Sequence, residues 1–208
     1  FIDGVNLGDD RVAVVDFATQ ATVPQTLTDD REALDGALDG LATRHGTRID
    51  RGLGAAIAEL QSERARQRSG KVIVLLSDGL DIHSALDIDQ VHWAMRRSDS
   101  VVYWIELRTP RSDDRVRSPW RTGDQHDRER AGLRRLVAES GGRVVPIGGI
   151  HEAAAAFGSI LAELRSQYVL GYYPLRDRDD GSEDCALRGH LASCRPERGP
   201  RPPGRPRG

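Results

Sequence analysis

The feature that most constrains the fold is a short apolar run, Val72–Leu76, which ends abruptly at Ser77-Asp78-Gly79. An uninterrupted apolar run of this length, bounded by turn residues, is typical of a strand buried on both faces of a parallel sheet. Parallel strands need long crossover connections, so the run favours an α/β protein. Asp78 would then lie at the carboxyl end of a central strand, the end at which open α/β sheets bind ligands.

Strand and helix signals alternate along most of the chain, as expected for a mostly parallel sheet covered by helices. The predicted strands are 12–17, 22–27, 72–76, 101–105, 143–147 and 167–174. The predicted helices carry apolar residues at helical spacing within 34–41, 49–60, 88–95, 133–137 and 153–164. These alternating elements predict one α/β domain.

Three local signals refine this prediction. Pro24 and Pro146 cannot donate a ladder hydrogen bond, so the strands that contain them are predicted at sheet edges. Asp29 and Glu32 resemble a capping box at the start of the first long helix. Residues 108–127 contain two prolines, a glycine and many charges, which predicts a long surface excursion.

The length of 208 residues is that of one ordinary domain followed by a tail. The domain is predicted to span residues 1–174. Hydrophobic periodicity is lost in residues 175–208, and Arg195–Gly208 consists almost entirely of Arg, Pro and Gly. Such a segment buries too little apolar surface to offset its ordering entropy, so disorder is predicted. An out-of-frame translation of GC-rich DNA would produce the same mixture.

Composition argues against two classes of partner. The formal net charge is −2, from 30 basic and 32 acidic residues, which gives no overall attraction to nucleic acid. No apolar stretch approaches the roughly 18 residues of a membrane-spanning helix. Localisation stays open, and a secreted or cell-envelope location is compatible with the sequence.

The candidate ligands are an acid and a hydroxyl. Asp78 follows the buried strand, and Thr47 follows Gly46 at the start of a predicted helix about one βα unit upstream. Both side chains offer oxygen, the ligand atom that Mg²⁺ prefers. Each also has a purely structural interpretation, because Asp78 could form the turn before Gly79 and Thr47 could cap the helix.

These residues resemble a von Willebrand factor type A (VWA) domain, and more narrowly the acidobacterial type of bacterial VWA-related protein. The resemblance covers residues 1–174. It is carried by four segments: Asp10–Phe17, Gly46-Thr47, Leu75–Gly79 and Tyr168–Pro174. It implies a three-layer, Rossmann-like α/β fold with a mostly parallel central sheet and one antiparallel edge strand.

The resemblance also implies a site for Mg²⁺ or Mn²⁺, the metal-ion-dependent adhesion site, built from three loops. Thr47 matches the second loop and Asp78 the third, with Ser77 and Asp81 as candidates to support the metal ligands. The Asp-x-Ser-x-Ser motif of the first loop has no counterpart in this sequence. The strand before that loop, the expected centre of the sheet between strands 12–17 and 72–76, is likewise predicted to be missing. Cation binding by this chain is therefore expected to be weak or absent.

The expected function is that of a non-catalytic module that binds a protein ligand, with an acidic side chain of the partner completing the metal shell. A divalent-metal-dependent hydrolase with an α/β fold is the first alternative, because a hard cation can activate water. The second alternative is a gene fragment with no independent function. The motifs of dinucleotide, phosphate-loop, serine-hydrolase and zinc-protease sites do not occur in the sequence.

Overall fold

The computed structural model describes residues 2–44, 46–62, 70–79, 88–108 and 123–166. These residues belong to one compact unit, Phe1–Tyr168. The strands are β1 (Val12–Phe17), β2 (Ala21–Thr28), β3 (Lys71–Ser77), β4 (Ser100–Leu107) and β5 (Val144–Ile147). The helices are α1 (Arg31–Asp39), α2 (Ile49–Leu60), α3 (Ile88–Ser98), α4 (Gly123–Glu139) and α5 (Ala153–Arg165).

The strands form two sheets. β1 and β2 pair in antiparallel fashion, and β3, β4 and β5 form a parallel sheet in that order. Pro24 and Pro146 both lie on edge strands, as their missing N–H groups predict. Within the described residues, β1 and β3 each pair on one side only, and no pairing joins the two sheets. The sequence predicts that these two strands flank a missing central strand, and in the described residues they are not paired with each other.

The core lies on both faces of β4. On one face, Val102 and Trp104 pack with buried residues of α2, α3 and α4. On the other, Tyr103 and Ile105 pack with α5. All four of these side chains are fully buried, which explains why this strand reads as a continuous apolar run. The predicted arrangement of a parallel sheet between helices is confirmed.

A cluster of polar side chains links α5 to the sheet through hydrogen bonds. The Tyr103 hydroxyl donates a hydrogen bond to Glu163 Oε1 at 3.0 Å, and Arg143 Nε donates to Glu163 Oε2 at 2.6 Å. The guanidinium of Arg143 and the hydroxyl of Tyr103 together lower the pKa of Glu163. The hydroxyl of the buried Tyr103 side chain thus has an ionised carboxylate as its hydrogen-bond acceptor.

Two boundary predictions were wrong. α4 begins at Gly123, so residues 123–127 are helical and not part of a surface excursion. The cap of α1 is Asp30 and not Asp29: its carboxylate accepts hydrogen bonds from the backbone N–H groups of Glu32 and Ala33. Glu32 therefore occupies the second helical position, one too early to close a capping box. The strand predicted at 167–174 and most of the excursion lie outside the described residues.

The cap makes a local stability prediction. Asp30→Ala is expected to destabilise the protein by about 1 kcal/mol, because two N–H groups at the start of α1 lose their acceptor. Urea unfolding of the purified chain measures the change. Asp29→Ala is the control, since the Asp29 side chain forms an exposed ion pair with Arg11 at 3.8 Å and does not cap the helix. Equal losses in the two variants would contradict the assignment of the cap.

Candidate functional site

The turn after β3 is held by hydrogen bonds from three directions. Ser77 Oγ accepts from the Gly79 N–H at 3.1 Å, and Trp104 Nε1 on β4 donates to the Ser77 carbonyl at 3.1 Å. Arg130 on α4 donates from Nη2 to the Asp78 carbonyl at 3.3 Å. The Ser77 hydroxyl thus supports the backbone that carries Asp78. The position of Asp78 is set by two neighbouring elements as well as by its own turn.

Gly79 allows this turn to lie against the core. Its φ is +74°, a value that L side chains rarely adopt, and the residue is buried. A Cβ atom here would lie 2.5 Å from Trp104 Cζ2 and 2.8 Å from Cη2. Because the Trp104 ring is itself fully buried, it has little room to withdraw. The glycine in Ser-Asp-Gly is therefore required both by the backbone conformation and by the packing.

A cluster of charges lies beside this turn. Ser77 on β3 is the register partner of Glu106 on β4, so the two residues are neighbours at the carboxyl ends of parallel strands. The Glu106 side chain is fully buried, yet it carries a carboxylate. An ionised group in such a position needs partners of opposite charge.

Three guanidinium groups supply those partners. Arg134 Nη2 lies 2.7 Å and 2.6 Å from the two carboxylate oxygens of Glu106. Arg108 donates from Nε to Glu106 Oε2 at 3.0 Å, and Arg130 Nη2 forms an ion pair with Oε1 at 3.3 Å. The Arg134 guanidinium also lies over the Trp104 ring, 5.5 Å from its centroid. We call Arg108, Arg130 and Arg134 the arginine cluster.

Thr47 lies in a loop that packs against the end of β1. Gly46 has a φ of +90°, and a Cβ atom there would lie 3.1 Å from Thr19 Oγ1, in the turn after β1. The residue at the cap position of α2 is Arg48, and its side chain makes no capping hydrogen bond. The interpretation of Thr47 as the helix cap is therefore wrong. Its hydroxyl makes no hydrogen bond to the described residues, and its metal role stays a prediction.

The structure places the two predicted ligands on different elements. Thr47 precedes α2, a helix that packs against both β1 and β3, whereas Asp78 follows β3. No hydrogen bond joins Thr47 to Asp78, so their convergence stays a prediction. Among the described residues, no three His, Cys, Asp or Glu side chains group closely enough to hold a metal ion. Asp81 lies outside the described residues.

Sequence reasoning missed the charged residues that surround the turn. Glu106 interrupts the apolar run of β4, and a lone acid within a buried strand is a signal that could have been noticed. Arg130 and Arg134 stand four residues apart and so share one face of α4. Nothing in the sequence shows that this face packs over Glu106, because that contact spans 28 residues between Glu106 and Arg134.

Comparison with known proteins identifies the fold. Residues 1–80 match the family model described as the von Willebrand factor type A domain. The chain is similar to BatB from Bacteroides thetaiotaomicron, with a TM-score of 0.56 and 17% identity over 80% of this chain and 83% of that one. It is also similar to the VWA domain of SpRpn10, with a TM-score of 0.51 and 12% identity over 70% of each chain. The search of curated proteins finds no match.

A further similar structure is that of an aerotolerance-related membrane protein from Bacteroides fragilis, with a TM-score of 0.56 and 16% identity over 78% of this chain and 83% of that one. At these identities the likeness establishes the fold alone, and it is the fold that the VWA resemblance implies. In the described part of this chain, no helix is long and apolar enough to cross a membrane.

Proposed function

We propose that this chain, which has the fold of a von Willebrand factor type A domain, is a non-catalytic protein-binding module whose ligand binding depends on a divalent cation. The observation that carries the proposal is the placement of Asp78. It follows the first strand of the parallel sheet, on a turn that Trp104 and Arg130 hold in place. Loops at this end of an open sheet diverge from one another and leave a crevice for a ligand.

The two candidate ligands in this chain offer oxygen atoms, which a hard cation prefers, but two ligands are few for such an ion. Asp78 offers a carboxylate, and Thr47 offers a hydroxyl that makes no hydrogen bond within the described residues. Mg²⁺ takes six oxygen ligands and commonly keeps several waters. A cation held by Thr47 and Asp78 would therefore bind weakly, with water and an acidic side chain of the partner as its other ligands. The bound cation would supply a positive charge for that acidic side chain.

Titration calorimetry with Mg²⁺ and Mn²⁺ tests the cation site. The chain is expected to bind weakly, with a dissociation constant of about 1 mM, similar to that of the weakest protein sites that bind Ca²⁺ through oxygen ligands. Asp78→Ala is expected to abolish the binding heat, and Thr47→Ala to reduce it. Asp10→Ala, which removes an exposed acid ahead of β1, is the matched control and should bind like the unmodified chain.

Two outcomes would contradict the proposal. One is that Asp78→Ala binds the cation as the unmodified chain does, which would place any cation elsewhere. The other is metal-dependent turnover of generic phosphate or ester substrates that is lost in Asp78→Ala. That second result would favour the hydrolase instead, because a binding module shows association without product release.

A further inference from the structure

We propose that the arginine cluster is a second binding element, one that takes carboxylate groups of an acidic peptide segment without needing a metal ion. The inference rests on the proposed function in one respect: it takes the partner to be a protein. It adds the chemistry by which this chain would select that partner. Guanidinium groups suit this task because their planar N–H pairs match the two oxygens of a carboxylate.

The charges in the cluster do not balance. Among the contacts between described residues, three guanidinium groups meet the single carboxylate of Glu106, which leaves a net charge of 3 − 1 = +2. One arginine is sufficient to neutralise one buried acid. The pairing with Glu106 therefore accounts for part of the cluster, and the remaining positive charge can attract an anion.

Burial indicates which side of the cluster a ligand can reach. The Glu106 side chain is 0% exposed, whereas the side chains of Arg108, Arg130 and Arg134 are 55%, 21% and 41% exposed. The carboxylate thus lies beneath the guanidinium groups and orients them, while the arginines retain surface that faces solvent. A cluster whose donors are fixed in advance loses little side-chain freedom when a ligand arrives.

One donor in the cluster has no acceptor within the described part of the chain. Arg130 Nε is buried and makes no hydrogen bond, although Nη2 of the same side chain contacts both Glu106 and the Asp78 carbonyl. Buried donors of native proteins are nearly always paired, so an unpaired one marks a place where an acceptor is missing. Because Nε itself is buried, a ligand would contact the solvent-facing surface of Arg108 and Arg134 instead.

The cluster adjoins the proposed cation site. Glu106 is the register partner of Ser77, the residue before Asp78, and Arg130 bonds to the Asp78 backbone. A peptide with several acids could therefore contact the arginines and the cation together. The Asp78 carboxylate by itself would repel such a peptide, and a bound cation would remove that repulsion. Acidic peptide and cation are thus expected to strengthen each other's binding.

Fluorescence anisotropy at low ionic strength tests the inference on the full chain. The probe is a labelled decapeptide in which glutamate alternates with glycine, and its partner probe carries glutamine in place of glutamate. In EDTA the glutamate peptide is expected to bind and the glutamine peptide is not. Arg108→Gln, which alters the most exposed member of the cluster, is expected to weaken binding about tenfold, and Arg130→Gln at least as much.

A matched control removes the same charge elsewhere. Arg96→Gln and Arg135→Gln each delete one arginine from the pairs with Glu139, the last residue of α4. These variants should bind the glutamate peptide like the unmodified chain. Equal weakening in both sets would overturn the proposal, because it would show attraction to overall charge. Since Arg108 is 55% exposed, its variant is expected to remain folded, and circular dichroism checks this.

The remaining binding measurements distinguish this inference from the proposed function. Inorganic phosphate should compete with the glutamate peptide only at high concentration. If phosphate binds to the chain and the glutamate peptide does not, the proposal that the ligand is an acidic peptide is wrong. Peptide binding that requires Mg²⁺ and Asp78 but not the arginines would support the cation site and overturn this inference. Binding in EDTA that depends on the arginines supports the inference whether or not the cation titration succeeds.

Discussion

Gly79→Ala is expected to destabilise the protein by about 3 kcal/mol. A left-handed φ disfavours any L side chain by roughly 1–2 kcal/mol, and overpacking against a rigid core adds roughly 1–3 kcal/mol. The overpacking arises because the new methyl group would lie 2.5 Å from Trp104 Cζ2. Urea unfolding followed by tryptophan fluorescence measures the change. Asp78 would also shift with the turn, so any cation binding should weaken in this variant.

Gly70→Ala separates the two causes. Gly70 has a φ of +88°, similar to that of Gly79, but a Cβ atom there would meet no other atom within 4 Å. Only the backbone term applies, so Gly70→Ala is expected to cost about 1 kcal/mol. If both variants lose the same stability, the contact with Trp104 contributes nothing and the packing explanation of Gly79 is wrong.

Glu106→Gln is expected to destabilise the protein by about 2 kcal/mol. The change keeps the shape of the side chain but removes the charge that holds three guanidinium groups together. Removing one partner of a buried pair costs roughly 3–5 kcal/mol, and the partial exposure of the arginines lowers that figure. Added salt should recover part of the loss, because the remaining repulsion between guanidinium groups is screened.

Glu139→Gln is the matched control for this prediction. Glu139 also contacts two arginines, Arg135 at 2.7 Å and Arg96 at 3.4 Å, but both of those side chains are 76% exposed. Solvent screens such pairs, so a loss below about 1 kcal/mol is expected from chemical unfolding. Equal effects at Glu106 and Glu139 would show that burial of the acid does not matter.

Much of the fold could be predicted from residues close together in the sequence. The strand predicted at 12–17 matches β1 in both bounds, and the apolar run at 72–76 lies within β3. The spacing of apolar side chains and the missing N–H of proline act over a few residues. Strands and sheet edges can therefore be predicted from them without knowledge of tertiary contacts. The cap of α1 was misplaced by one residue, because neighbouring acids at 29 and 30 offer the same chemistry and only backbone geometry separates them.

The candidate site was predictable only in part. Asp78 was predicted as a ligand because an apolar strand that ends in Ser-Asp-Gly indicates the ligand-binding end of a sheet, and its metal role stays a prediction. The structural role first considered for Thr47, a helix cap, was wrong because α2 begins after Arg48. The arginine cluster was not foreseen, since an arginine on a helix is ordinarily a solvated surface residue.

The sequence by itself determined the order of strands and helices, the edge positions of Pro24 and Pro146, and the turn that follows β3. Each depends on steric and hydrogen-bonding preferences of adjacent residues. Only the tertiary structure decided that Glu106 would lie beside that turn and that Arg130 and Arg134 would pack over it. Those contacts depend on the register of β3 against β4 and on the docking of α4. Both are set by the burial of side chains far apart in the chain, which no local pattern encodes.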